Sequence, residues 1–161
     1  MLLSCPGCEK VSYKELPIYF KLNGIVYRRP PDSMIITHSF LISDSGFEYI
    51  LRGDFTGQGQ TVDLYLRAGD SSSSEIELNK RYVIKENTRL TTYNESTIKR
   101  HKSVSGWITF TDIAPDEKMP DNILAITGNF EIIFEGYTEG EDIVISNGCI
   151  NSLSCSRHKF Q

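Results

Sequence analysis

No apolar run in the 161 residues approaches the roughly 18 needed to cross a bilayer as a helix, which excludes a helical membrane span. A large charge excess is absent too. The 17 basic side chains face 21 acidic ones, a net charge of −4, so there is no electrostatic reason to expect nucleic acid as the partner. No Gly-x-Ser-x-Gly elbow marks a nucleophile, and no repeat of fixed period marks a solenoid or propeller. Histidine is scarce, at 3 residues, and Trp107 is the single tryptophan. Apolar and aromatic side chains are not scarce: 39% and 11% of the chain exclude wholesale disorder. At about 150 residues per domain the length fits one domain, large enough to bury roughly two thirds of its unfolded surface without a covalent staple.

The apolar residues recur mostly with period two, the mark of half-buried strands. Leu124, Ile126, Gly128, Phe130, Ile132 and Phe134 alternate with polar residues such as Thr127, Asn129 and Glu131. A helix would scatter them around its circumference, whereas a strand collects them on one face. Gly128 has no side chain to pack, so a bulge or bend is expected there. Val62, Leu64 and Leu66 repeat the pattern, as do Phe47, Tyr49 and Leu51, and Ile108 with Phe110. Asn23-Gly24, between two alternating runs, is a strong hairpin signal. Ser43 to Gly46 separates two more strands, and Asn147-Gly148 is expected to turn the chain into a last short strand. The spacing predicts an all-β fold, a single antiparallel β-sandwich of roughly nine or ten strands, with a lipocalin-like β-barrel as the alternative.

Three stretches read as surface loops. Gly53 to Gln60 is rich in glycine, Ala68 to Ser74 holds consecutive serines, and Ala114 to Asn122 holds two prolines. Only Ser71 to Lys80 and Asn94 to Lys102 could hold a helical turn, and neither shows a 3.6-residue period.

The 4 cysteines fall in pairs at opposite ends, Cys5 with Cys8 and Cys149 with Cys155. One reading is zinc, with Cys5 and Cys8 joined by Cys149, Cys155 or His158. The second spacing does not repeat the first as a zinc ribbon requires. A thioredoxin-type pair needs a βαβ context that is missing. In an oxidising compartment a Cys149–Cys155 disulfide is the commoner explanation. The start of the chain has a further reading. Leu2-Leu3-Ser4-Cys5 is similar to the end of a bacterial lipoprotein signal peptide, in which the cysteine receives the lipid. Four residues cannot hold the charged and apolar regions of such a peptide, so this reading expects a start assigned too late or a truncated chain. Residues 1–15 would then be a tether and 16–161 the β-domain. The alternative is an ordinary cytoplasmic N-terminus.

The order of features resembles a family of small Bacteroidetes envelope lipoproteins grouped as domains of unknown function. The resemblance rests on Leu16-Pro17, on Phe20 to Gly24 followed by Val26-Tyr27, and on Tyr82 within Glu77 to Ile84. It continues with Gly106-Trp107-Ile108-Thr109, Ile126-Thr127-Gly128-Asn129-Phe130 and the closing Ile143 to Ile150. It implies a β-sandwich exported to the cell envelope, and it supplies no catalytic residues. Cys149 departs from the family's usual pattern.

Candidate sites are few. None of His38, His101 and His158 lies in a nucleophile motif, and His38, inside an apolar run, reads as a hydrogen-bonded strand residue. Arg52-Gly53-Asp54 matches an integrin tripeptide but is ordinary turn chemistry. Lys99-Arg100-His101-Lys102 could touch a phosphate or anionic headgroup but reads as the solvated edge of a polar connection. The acidic stretches Asp112 to Asp121 and Glu139 to Asp142 lack the spacing of a calcium loop. Asn94-Glu95-Ser96 is a glycosylation sequon, irrelevant in a bacterium. Aromatics give the best binding clue, because exposed rings take glycans and protein partners by stacking. Tyr65 and Trp107 fall opposite the aliphatic face of their own strands. The expectation is a non-catalytic, lipid-anchored envelope domain that binds a glycan, peptide or envelope protein and carries no cofactor or metal. A cytosolic zinc module and a lipocalin-like carrier of small ligands are the alternatives.

Overall fold

The computed structural model describes residues 16–30, 37–94, 96–115, 123–138 and 140–159. The expected tether, with Cys5 and Cys8, lies outside them. Ten strands and no helix are formed among the described residues. They are β1 (Ile18–Leu22), β2 (Ile25–Arg28), β3 (Thr37–Ile42), β4 (Phe47–Gly57) and β5 (Gln60–Asp70). β6 (Arg81–Val83), β7 (Arg89–Asn94), β8 (Thr97–Pro115), β9 (Ile123–Phe134) and β10 (Ile143–Lys159) follow. The all-β architecture expected from the alternation is therefore the one adopted.

The strands form one mixed sheet that wraps around a single core. From β4 the ladders run through β5, β7, β8 and β9 to β10, all antiparallel. β10 then pairs with β1 over Ile145 to Ile150, and with β3 over Ser156 to Lys159. β3 and β2 each return to β4, so the β1–β2 hairpin and β3 share the gap between β10 and β4. β3–β10 is parallel, a departure from the purely antiparallel expectation. Inward residues fill the centre. Phe20, Phe40, Phe55, Phe110, Phe130 and Tyr49 are all fully buried. Their rings meet edge-on, Phe20 on Phe55 at 4.9 Å and Tyr49 on Phe110 at 4.9 Å, the geometry that aromatic quadrupoles favour.

Several local expectations are corrected. The stretch Gly53 to Gln60 is not a loop: β4 runs to Gly57, β5 starts at Gln60, and only Gln58-Gly59 turns. Inward burial of Phe55 keeps the alternation going through the glycines. Arg52-Gly53-Asp54 accordingly sits within β4 rather than at a turn. Asn147-Gly148 does not end a strand, because β10 continues to Lys159. Asn147 takes φ +50° at a bulge, where β10 carries one more residue than β9 between Ile145 and Gly148. The basic cluster Lys99 to Lys102 lies inside β8 and is no connection.

Candidate functional site

The two outward aromatics are each covered by guanidinium groups. Tyr65, on β5, stands directly opposite Arg52 of β4 and Arg89 of β7. Arg67 follows two residues on, with its side chain on the same face. The three guanidinium carbons lie 5.8, 4.9 and 6.0 Å from the Tyr65 ring centroid for Arg52, Arg89 and Arg67. At these distances each cation is drawn to the ring's negative face. Lys102 of β8 continues the row beyond Arg89. Arg52 also pairs with Asp63 at 3.2 Å, and Glu48 pairs with Arg67 and, at 3.5 Å, with Lys85. Among the described residues, Arg89, Arg100 and Lys102 have no ion-pair partner.

Three buried polar atoms in this cluster lack a hydrogen-bond partner among the described residues: Nε of Arg52, Nε of Arg67 and Oδ1 of Asp63. Asp54 and Asp63 face each other across β4 and β5. Burial, and then the Asp63 charge, hold the Asp54 carboxyl above its usual range, against the pull of Arg52. Trp107 lies under Arg81, whose guanidinium carbon is 4.2 Å from the indole. Beside it is a shallow depression of about 310 Å³ reached by Tyr19, Asn129, Glu131 and Cys149. Tyr65 and Trp107 thus face outward as the alternation expects, but not as bare stacking platforms.

Two of the three histidines, His38 and His101, have both ring nitrogens engaged, whereas His158 is exposed near the end of β10. His38 Nδ1 donates to the Ser154 carbonyl at 2.7 Å, and Nε2 accepts from the Tyr49 hydroxyl at 2.7 Å. His101 repeats the arrangement: Nδ1 donates to the Glu135 carbonyl at 2.8 Å, and Nε2 accepts from Thr92 Oγ1 at 2.9 Å. A carbonyl can only accept, so Nδ1 carries the proton in both rings and Nε2 is left as the acceptor. Burial lowers the His38 pKa to about 4, against the opposing Ser154 bond. Burial also lowers that of His101, with Lys99 adding to the effect. The Tyr49 hydroxyl bonded to His38 is fully buried, whereas the Thr92 hydroxyl bonded to His101 also meets that of Tyr137.

The cysteine expectations change. Cys149 and Cys155 are free thiols on one strand, so the Cys149–Cys155 disulfide is not formed. Their partners on β9, Asn129 and Leu124, lie five positions apart. That is roughly 16 Å at the rise of a strand, far beyond what a disulfide can bridge. At that separation the two cannot share a metal ion either. Among the described residues no group of three or more His, Cys, Asp or Glu could hold one.

One cavity of about 350 Å³ opens at an end of the sheet, lined by Tyr27, Tyr93 and Tyr137 among others. It sits between the β1–β2 turn, the start of β5, the end of β7 and the β9–β10 connection. The sequence offered no signal for it, because its lining comes from four separate places in the chain. No helix among the described residues is long and apolar enough to cross a membrane. No protein-family model, curated protein or solved structure matches the chain.

Proposed function

We propose that the chain is a non-catalytic binding domain of the bacterial cell envelope, anchored by a lipid on Cys5, whose outer Tyr65 face takes an anionic glycan. The observation that carries this reading is the set of three guanidinium groups around Tyr65, 4.9 to 6.0 Å from its ring. Arg52, Tyr65, Arg89 and Lys102 are successive cross-strand neighbours over four strands, a row of roughly 14 Å at normal strand spacing. Guanidinium groups offer paired donors that match carboxylate and sulfate oxygens, and the exposed Arg89 beside Tyr65 makes no ion pair among the described residues. A glycan is favoured over an acidic peptide adding as a strand, because β4, β5 and β7 are each paired on both sides.

Binding to polygalacturonate and heparin, titrated against salt, tests the site. Affinity should fall with rising salt and drop at least tenfold in Tyr65→Ala and in Arg89→Ala, with Trp107→Ala showing whether the indole contributes. Equal affinity in all variants removes these residues, and binding to an acidic protein alone moves the reading to a protein partner. The DNA upstream of Met1 tests the anchor: an in-frame signal peptide supports it, and a stop codon directly before Met1 ends it.

A further inference from the structure

The cavity at the end of the sheet is independent of the Tyr65 face, and its chemistry is of the opposite sign. Three tyrosines reach it from three different elements: Tyr27 from β2, Tyr93 from β7 and Tyr137 from the β9–β10 connection. Glu141 and Asp142 stand at its rim, exposed, and make no ion pair among the described residues. Among the described residues no lysine or arginine lines it. Lys99, opposite Thr92 in the β7–β8 ladder, stands outside the lining.

The wall is held in place. Tyr137 donates its hydroxyl hydrogen to Thr92 Oγ1 at 2.5 Å, and Thr92 in turn donates to His101 Nε2. The Tyr137 and His101 rings meet edge-on at 4.8 Å. His101 is only 1% exposed, and its lowered pKa keeps the imidazole neutral at pH 7, so it adds no positive charge behind the tyrosines. A neutral floor, three tyrosine side chains and two carboxylates without an ion pair make a site selective for positive charge on an apolar body.

We propose that this cavity binds a quaternary ammonium group, with Tyr27, Tyr93 and Tyr137 as its cage and Glu141 and Asp142 as its counter-charges. The group could arrive free or on a phosphocholine headgroup. The rim carboxylates repel a phosphate, so the free cation should bind the tighter of the two.

Calorimetric or NMR titration of the whole chain with choline, phosphocholine and 3,3-dimethylbutan-1-ol decides it. The alcohol has the shape of choline without its charge. Choline should bind at least tenfold tighter than the alcohol and tighter than phosphocholine. Tyr93→Ala and Tyr137→Ala, both at exposed positions, should each cost at least fivefold. The double change Glu141→Gln with Asp142→Asn should weaken choline and remove its preference over phosphocholine. Thermal melts of each variant separate lost binding from lost folding. No choline binding at millimolar concentration, equal binding of the alcohol, or full affinity in folded tyrosine variants each overturns the proposal. Phosphocholine binding tighter than choline assigns the site to a headgroup and overturns the part given to the carboxylates.

Discussion

Tyr49 donates its hydroxyl hydrogen to Nε2 of His38 across 2.7 Å, in the interior where β3 and β4 pair. With Nδ1 committed to Ser154, the imidazole has no free site for a second proton unless the Tyr49 bond is broken. Burial brings its pKa from the ordinary 6.5 down to about 4. Unfolded, the ring takes its proton near pH 6.5; folded, it resists until about pH 4. Between these values the unfolded chain binds the extra proton, so stability rises with pH and is lost on acidification. The loss through His38 is on the order of 3 kcal/mol over that window. Urea midpoints should fall from pH 7 to pH 4 in the parent and flatten markedly in His38→Gln. His101, lowered in the same direction, leaves a shallower slope in both. Identical slopes in the two proteins would sink the assignment.

Arg81 covers the chain's only tryptophan, which makes its contact easy to follow by fluorescence. Removing the guanidinium exposes the indole to water and deletes a cation–π contact of about 0.5–1 kcal/mol. Emission of Arg81→Ala should move to longer wavelength, with quenching by acrylamide increased. Arg81→Lys should fall between, because a point charge keeps the attraction but loses the planar stacking. An unchanged spectrum in Arg81→Ala would mean that the indole is shielded by something else.

The strands were legible because burial on one face writes period two directly into the chain. β9 shows it most plainly, from Leu124 to Phe134. Register was not legible, and the candidate site depends on register. Arg52, Tyr65 and Arg89 belong to three strands, and only the ladders place them side by side. The same applies to Thr92, His101 and Tyr137, which are joined by hydrogen bonds across β7, β8 and the β9–β10 connection. Glycine was read too simply as punctuation. Gly53 and Gly57 sit inside β4, and at Gly57 a Cβ would come within 2.7 Å of the Tyr27 ring, so close packing rather than a turn explains the residue.

Gly128 illustrates the point and can be tested. A bulge was expected in β9 itself, yet β9 runs on while both neighbours bulge beside it. β8 gains a residue between Phe110 and Asp112, and β10 between Ile150 and Leu153. A Cβ at Gly128 would lie 2.4 Å from the Thr109 carbonyl oxygen, which is backbone and cannot swing away. Gly128→Ala should therefore destabilise by roughly 1–3 kcal/mol, the range for overpacking a filled interior. Gly24→Ala meets no atom within 4 Å but must hold φ +85°, so its cost is about 1 kcal/mol of backbone strain. Denaturant midpoints that rank the two variants the other way would contradict the geometry.

The two thiols of β10 should behave differently because their surroundings do. Cys149 is half-buried, and its Sγ donates to Asn151 Oδ1 at 3.3 Å. Cys155 is 1% exposed, and burial pushes its thiol well up, against a smaller opposing contact with the Phe40 backbone. The thiolate is the reactive species, so a thiol that is both covered and hard to ionise is inert. In a Cys5→Ser, Cys8→Ser background, a disulfide reagent should modify one thiol of the folded protein, Cys149, and reach Cys155 only on denaturation. Dithiothreitol should leave the melting temperature unchanged, since no loop is closed between the two residues. Two unreactive thiols in denaturant that appear only after reduction would mean that the cysteines are joined, and β10 could not then run extended from Cys149 to Cys155.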